Sequence, residues 1–164
     1  MPNSNMNVET KERELLITRI FNAPPALIID MWSDCKHLKH WWGPKEWPMD
    51  ECTLDFRVNG KWQYCLRGPN EGDEAWGLAI YKEIDKPNKI VYQDSFCDKD
   101  GNINKQMPVT NVTLNFIEYE GKTKLVSNVI YDSPDSLKTV LDMGMIQGMT
   151  SSMERLDEYL VSIR

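Results

Sequence analysis

Apolar and polar positions alternate along most of this chain, and the period of the alternation changes where the architecture should change. Residues 13–21, RELLITRIF, are apolar and β-branched enough for a first strand. Asn22-Ala-Pro-Pro then opens a helix, because proline is tolerated in a first helical turn. Leu27, Ile28, Met31 and Trp32 follow at helical spacing on one face. Ser33-Asp34 ends or re-caps that helix, and a second short helix covers residues 35–40. From Cys52 onward the period falls to two: Trp62, Tyr64 and Leu66 alternate with Lys61, Gln63 and Arg67, and Trp76, Leu78 and Ile80 repeat the pattern. Residues 89–96, 109–118 and 123–131 make further strands, separated by turn-forming residues such as Asn59-Gly60, Asp85-Lys86-Pro87-Asn88 and Glu120-Gly121-Lys122. Links this short produce an antiparallel meander.

After Ser133-Pro134 the helical period returns. Met145, Met149, Met153, Leu156 and Leu160 form one stripe, on a helix expected to run unbroken over residues 136–162. Gly144 and Gly148 lie one turn apart on it; glycine inside a helix costs about 1 kcal/mol against alanine, and what offsets that is close approach of a neighbour or space for a ligand. A helix cannot bury its stripe alone, and a curved meander has one apolar concave face. Packing one on the other gives an α+β fold in two layers. Residues 1–10 show no periodicity and are expected to be a flexible N-terminal tail, which leaves residues 11–164 as a single domain.

Composition narrows the function classes. Hydrophobic residues at 41% and charged residues at 27% are ordinary for a globular chain. A net charge of −6 argues against nucleic acid as a partner, since phosphate binding needs clustered Lys and Arg. No apolar run is long enough for a membrane span and no signal-peptide core opens the chain, so the expected location is cytoplasmic. In that compartment Cys35, Cys52, Cys65 and Cys97, none in CxxC spacing, are expected as four free thiols. The glycosylation sequon at Asn111 is set aside on the same ground.

The densest chemistry is HWWGPKEW, residues 40–47, with three indoles around a Gly-Pro turn. Trp41, Trp42 and Trp47 read either as a core plug or as pocket lining, and both readings can hold, because ligand cavities are mostly apolar and aromatic. Metal binding is a poor fit: His37 and His40 with Cys35 and Cys52 match no finger spacing. Asp98, Asp100, Asn102 and Asn104 imitate a calcium loop but lack its glycine and its bidentate glutamate. No nucleophile motif or phosphate-cradling loop is present, so no catalytic residue, metal or cofactor is assigned.

These elements, in this order, resemble the START-like (SRPBCC, helix-grip) superfamily, and within it the family named after the activator of heat-shock protein 90 ATPase. The resemblance rests on RIFNAP (residues 19–24), on MWSD and HLKHWWGP (31–44), and on GKWQYCLRGPNEG (60–72). It continues through YKEIDKPNKIVY (81–92), VTLNF (112–116) and GMIQGMTSSMERLDEYL (144–160). Departures include Cys35 in place of a frequent proline and Met149 in place of a common tryptophan. The resemblance implies a helix-grip fold, a curved antiparallel sheet wrapped around a long C-terminal helix with two short helices after the first strand. It also implies a cavity for a lipid-like or aromatic molecule. The co-chaperone activity belongs to larger relatives with an extra domain, for which this chain is expected to have no room.

The resulting expectation is non-enzymatic binding of an apolar or aromatic small molecule, lipid-like or polyketide-like, by a monomer or homodimer. The alternatives are a co-chaperone-like protein-interaction domain with a chaperone partner, and a cyclase or hydrolase using the same cavity. The expected ligand-binding residues are Trp41, Trp42, Trp62, Tyr64, Trp76, Met145 and Met149. In this picture Trp62, Tyr64 and Trp76 face the two methionines across the cavity, beneath a mobile turn at Gly43-Pro44.

Overall fold

The computed structural model describes residues 6–163 of the 164-residue chain. Strand β1 (Met6–Lys11) leads into β2 (Glu14–Phe21), and helices α1 (Pro25–Ser33) and α2 (Cys35–Trp41) follow. Then come β3 (Met49–Leu54), β4 (Lys61–Arg67), β5 (Glu74–Asp85), β6 (Lys89–Cys97), β7 (Thr110–Tyr119) and β8 (Lys122–Tyr131). Helices α3 (Pro134–Asp142) and α4 (Met145–Ile163) close the chain. The eight strands form one antiparallel sheet in the order β1-β2-β8-β7-β6-β5-β4-β3. This is the helix-grip α+β architecture.

Local chemistry accounts for the elements. On β2, Leu15, Ile17, Arg19 and Phe21 point inward while the residues between them stay partly exposed, the period-two signature of a half-buried strand. Helix α1 starts with Pro25 at its first position and buries Ile28, Ile29, Met31 and Trp32. Asp34, in extended conformation, stops α1 and caps α2, its side chain accepting from the Lys36 N–H at 2.9 Å. The core lies between the concave sheet face and a layer made of α1, α2 and α4.

Three expectations are revised. The stretch expected to be a loose tail contains β1 from Met6 onward, paired with β2 in register Met6 to Arg19; residues 1–5 lie outside the described residues. Only Met6 and Val8 alternate with exposed neighbours before the strand turns wholly polar, too short a pattern to read, and the strand is held by its hydrogen bonds to β2 and by those two side chains packed on the core. The single long helix is two, interrupted at Met143-Gly144. Gly144 takes φ +88°, a left-handed conformation natural to glycine, and its N–H returns to Leu141 O at 3.0 Å to end α3. The third revision concerns the thiols. Cys35 and Cys52 form a disulfide across a Cα separation of 5.8 Å, tying α2 to β3, and only Cys65 and Cys97 are free. The expectation of four thiols rested on compartment, whereas the pairing follows from the fold bringing two distant cysteines within bridging range.

Candidate functional site

The site begins with what β5 leaves out. Its inward positions Gly77 and Ala79 carry almost no side chain, and they sit between Tyr64 and Trp62 on β4 and Phe96 and Asp94 on β6. A Cβ at Gly77 would lie 2.4 Å from the Tyr64 ring and hydroxyl, so glycine is what lets that phenol lie across the strand. The Tyr64 hydroxyl thereby reaches Asp94 Oδ2 at 3.5 Å, a long contact. Over this hollow opens a cavity of about 310 Å³.

Its walls come from both layers. The indoles of Trp41 and Trp42 border it on the helical side, Tyr64, Tyr92 and Tyr131 on the sheet side, and Met145, Gly148, Met149 and Met153 from α4. Further along the α4 stripe, Leu156 and Leu160 are buried in solid core, so the stripe divides into a cavity half and a packing half. Gly148 borders the cavity opposite Pro44; a Cβ there would meet only Pro44 Cγ, at 3.9 Å. The Gly43-Pro44 turn, expected to be mobile, is tied to α4. Arg155 donates to Gly43 O at 2.8 Å and to His40 O at 3.2 Å, and the Lys45 N–H donates to Ser151 Oγ at 2.9 Å. Gly43 has φ +94°, and a Cβ on it would strike Trp47 O at 2.5 Å.

The tryptophans are both plug and lining. Trp32 meets Trp41 edge-on at 4.5 Å, Trp41 meets Trp42 at 5.4 Å, and Trp42 meets Trp62 at 4.7 Å. The series continues through Tyr64, Tyr92 and Tyr81. Edge-to-face contacts of this kind suit the ring quadrupoles and hold the helices on the sheet. Trp41 is fully buried, its Nε1–H donating to Met31 O at 3.1 Å. Two of the expected lining residues stand differently. Trp62 lies behind the wall, 1% exposed, and does not border the cavity. Trp76 borders it, but strand alternation turns its ring away: its cross-strand partners are Cys65 and Cys97, opposite in face to Gly77 and Tyr64, and its Nε1–H donates to Glu74 Oε1 at 2.8 Å. The period-two reading aligned Trp76 with Trp62 by type, and the register sets it one face off.

The residue that sequence reading missed is Asp94. It occupies the inward row Trp62–Ala79–Asp94–Thr110–Tyr131 across five strands. Oδ1 is enclosed and has no hydrogen-bond partner within the protein. Burial pushes its carboxyl up to about 7, against the lowering effect of the contacts to Tyr64 and the Ser95 backbone. Tyr64 and Tyr92 are pushed well up, first by burial and then by the nearby Asp94 carboxyl. Its signal was available: a carboxylate on the inward phase of Ile90 and Tyr92 breaks the apolar pattern of that strand.

Other candidates sit elsewhere. His37 Nδ1 lies 2.7 Å from the Tyr159 hydroxyl and the His40 ring stacks on Tyr159 at 4.5 Å, a packing arrangement between α2 and α4. Asp98 accepts from the Asp100 and Asn102 N–H groups within its own loop. Among the described residues no group of three or more His, Cys, Asp or Glu is placed to hold a metal ion, and no helix is long and apolar enough to cross a membrane.

Comparison with known proteins agrees with this fold. The family described as "Activator of Hsp90 ATPase homolog 1-like protein" matches residues 22–161. A crystal structure of a Mycobacterium smegmatis protein is similar at TM-score 0.86 and 31% identity, covering 94% of this chain and 95% of that one. A solution structure of an Arthrobacter aurescens protein aligns at TM-score 0.88 and 27% identity over 97% of this chain and 93% of that one. One from Staphylococcus epidermidis aligns at 0.82 and 28%, over 97% and 96%. No curated protein matches the chain.

Proposed function

Since the chain belongs to the family of activator of Hsp90 ATPase homolog 1-like proteins, we propose that it binds an apolar or aromatic small molecule in the cavity between its sheet and α4. The observation that supports this is the cavity itself, about 310 Å³ and walled by indoles, phenols and methionines. That volume falls at the lower end of the roughly 300–1,000 Å³ of small-molecule sites. Burial of apolar ligand surface would drive binding at roughly 25 cal/mol per Å², gross of the costs of association. Methionine side chains adapt their shape to a ligand, which suits Met145 and Met149 to this wall. Binding is preferred to catalysis because neither histidine borders the cavity and, among the described residues, its one hydroxyl–carboxyl contact, Tyr64 to Asp94, is long at 3.5 Å and its phenol is pushed well up by burial.

The test is Met149→Trp, which puts an indole where the thioether now lines the cavity. Environment-sensitive apolar dyes should bind the wild type with enhanced, blue-shifted emission. They should bind the folded variant at least several-fold more weakly. Equal binding by both would remove Met149 from the site. If no apolar dye binds the wild type, the cavity reading fails and the protein-interaction reading takes its place.

A further inference from the structure

The cavity is mostly apolar, with the hydroxyls of Ser95, Thr110, Ser127 and Ser152 and a single carboxyl among its lining. Among the described residues Asp94 is the only carboxylate that borders it, and no lysine, arginine or histidine does. Arg19 pairs through one nitrogen with Asp157, Arg155 donates to the carbonyls of Gly43 and His40, and neither borders the cavity. Asp94 therefore lacks a countercharge: Oδ1 has no protein partner, and the carboxyl is otherwise met only by the long contact to Tyr64 and by the Ser95 backbone. Buried carboxylates are ordinarily paired or hydrogen-bonded, because an isolated one costs several kcal/mol. The aromatic rings of Trp42, Tyr64, Tyr92 and Tyr131 share the lining with it, and the face of such a ring attracts a cation as well as an apolar body.

Resting on the reading of the cavity as a binding site, we infer that its ligand is an apolar or aromatic amine whose protonated nitrogen is received by the Asp94 carboxylate, with the Tyr64 hydroxyl alongside. A neutral hydroxyl ligand would supply a hydrogen bond and leave the charge uncompensated. An acidic ligand would set two like charges together in a low-dielectric pocket. An ammonium supplies donors and countercharge at once.

The proposal carries a pH signature. With its carboxyl held near 7 by burial, Asp94 is partly protonated before binding, and pairing with an ammonium expels that proton. The titratable groups facing it are the phenols of Tyr64, Tyr81, Tyr92 and Tyr131, all pushed upward and uncharged at neutral pH. Across the cavity α4 presents only methionines, Gly148 and Ser152, and α1 and α2 present indoles. Amine affinity should therefore rise with pH up to about 7 and level off above it.

The experiment uses three probes on one ring system: 2-(1-naphthyl)ethylamine, 2-(1-naphthyl)ethanol and 1-naphthylacetate, titrated calorimetrically. Near pH 7.5 the wild type should take the amine about tenfold or more tighter than the alcohol, with the acid weakest. Asp94→Asn, nearly isosteric and checked for fold by circular dichroism, should lose that preference and keep alcohol affinity within about twofold. On the wild-type chain alone, amine affinity should fall by up to about tenfold per pH unit below 7, with proton release seen in buffers of different ionisation enthalpy. Equal affinity for amine and alcohol, a preference that survives Asp94→Asn, or an amine affinity that is flat with pH each overturns the inference and leaves the cavity as a binding site. If none of the three binds, both readings fall.

Discussion

Asp94 and Gly77 are the two residues that give this fold a carboxyl inside a mostly apolar shell. Gly77 does it by omission, clearing the path of the Tyr64 phenol, and Asp94 by occupying an inward position that its neighbours Tyr92 and Phe96 fill with rings. The carboxyl has a stability consequence with a definite sign. Below about pH 4 it is protonated in the folded and unfolded chain alike and carries no penalty. As pH rises the unfolded chain releases that proton freely, while the folded chain holds it until about 7. The folded state therefore loses stability between these limits, and the loss is constant above them. Asp94→Asn should be nearly neutral at pH 4 and stabilising above pH 7, by up to a few kcal/mol at about 1.4 kcal/mol per pKa unit. Denaturant melts at a series of pH values check this, and a difference that does not grow with pH would show the carboxyl is not held protonated.

At the scale of elements, α2 and the turn after it decide where one cavity wall stands. Helix α2 is only seven residues long and has little stability of its own. It is held by the Trp41 bond to Met31 O, by Arg155 beneath its C-terminal carbonyls, and by the Cys35–Cys52 bridge to β3. The bridge closes a span of 17 residues, a loop for which cross-linking is worth about 3 kcal/mol in the chain-entropy account. Titration of denatured, unreduced protein should count two thiols, those of Cys65 and Cys97. Cys35→Ser with Cys52→Ser should lower stability by about 2–4 kcal/mol in equilibrium unfolding. A count of four would mean that the bridge does not form. The α3–α4 break belongs to the same scale, since it lets α4 start afresh at Met145, the first of its cavity-lining residues.

For the whole molecule, the strand order places β1 and β3 at the two edges and the cavity over the sheet between them. β1 is amphipathic protection for that sheet. Met6 and Val8 pack on the core while Glu9 and Lys11 face outward, and charged, polar edges discourage pairing with another chain. Removing residues 1–11 would uncover the edge of β2, whose sequence ELLITRIF is strongly β-forming. The truncated chain should melt earlier, losing about 1–3 kcal/mol, and should self-associate in light scattering. A monomeric truncation with unchanged melting would show that β1 contributes only extension.

The periodicities of the sequence determined the element order, the antiparallel meander and the helix stripe, because these are local consequences of period two and period 3.6 acting through burial. They put Tyr64, Met145 and Met149 on the apolar phases of their elements, and these three side chains border the cavity. The tertiary structure alone decided the rest. Trp76 lies on the phase of β5 opposite to Gly77 and Ala79, and only the pairing of β5 with β4 and β6 decides which of the two phases faces the cavity. Cys35 met Cys52, and Arg155 met the Gly43 turn, through contacts between segments far apart in the chain. Asp94 became the one carboxyl among the described residues of the cavity wall because five strands brought it beside a glycine, an alanine and four phenols. Burial, countercharge and free volume are properties of packed neighbours, and a linear pattern does not contain them.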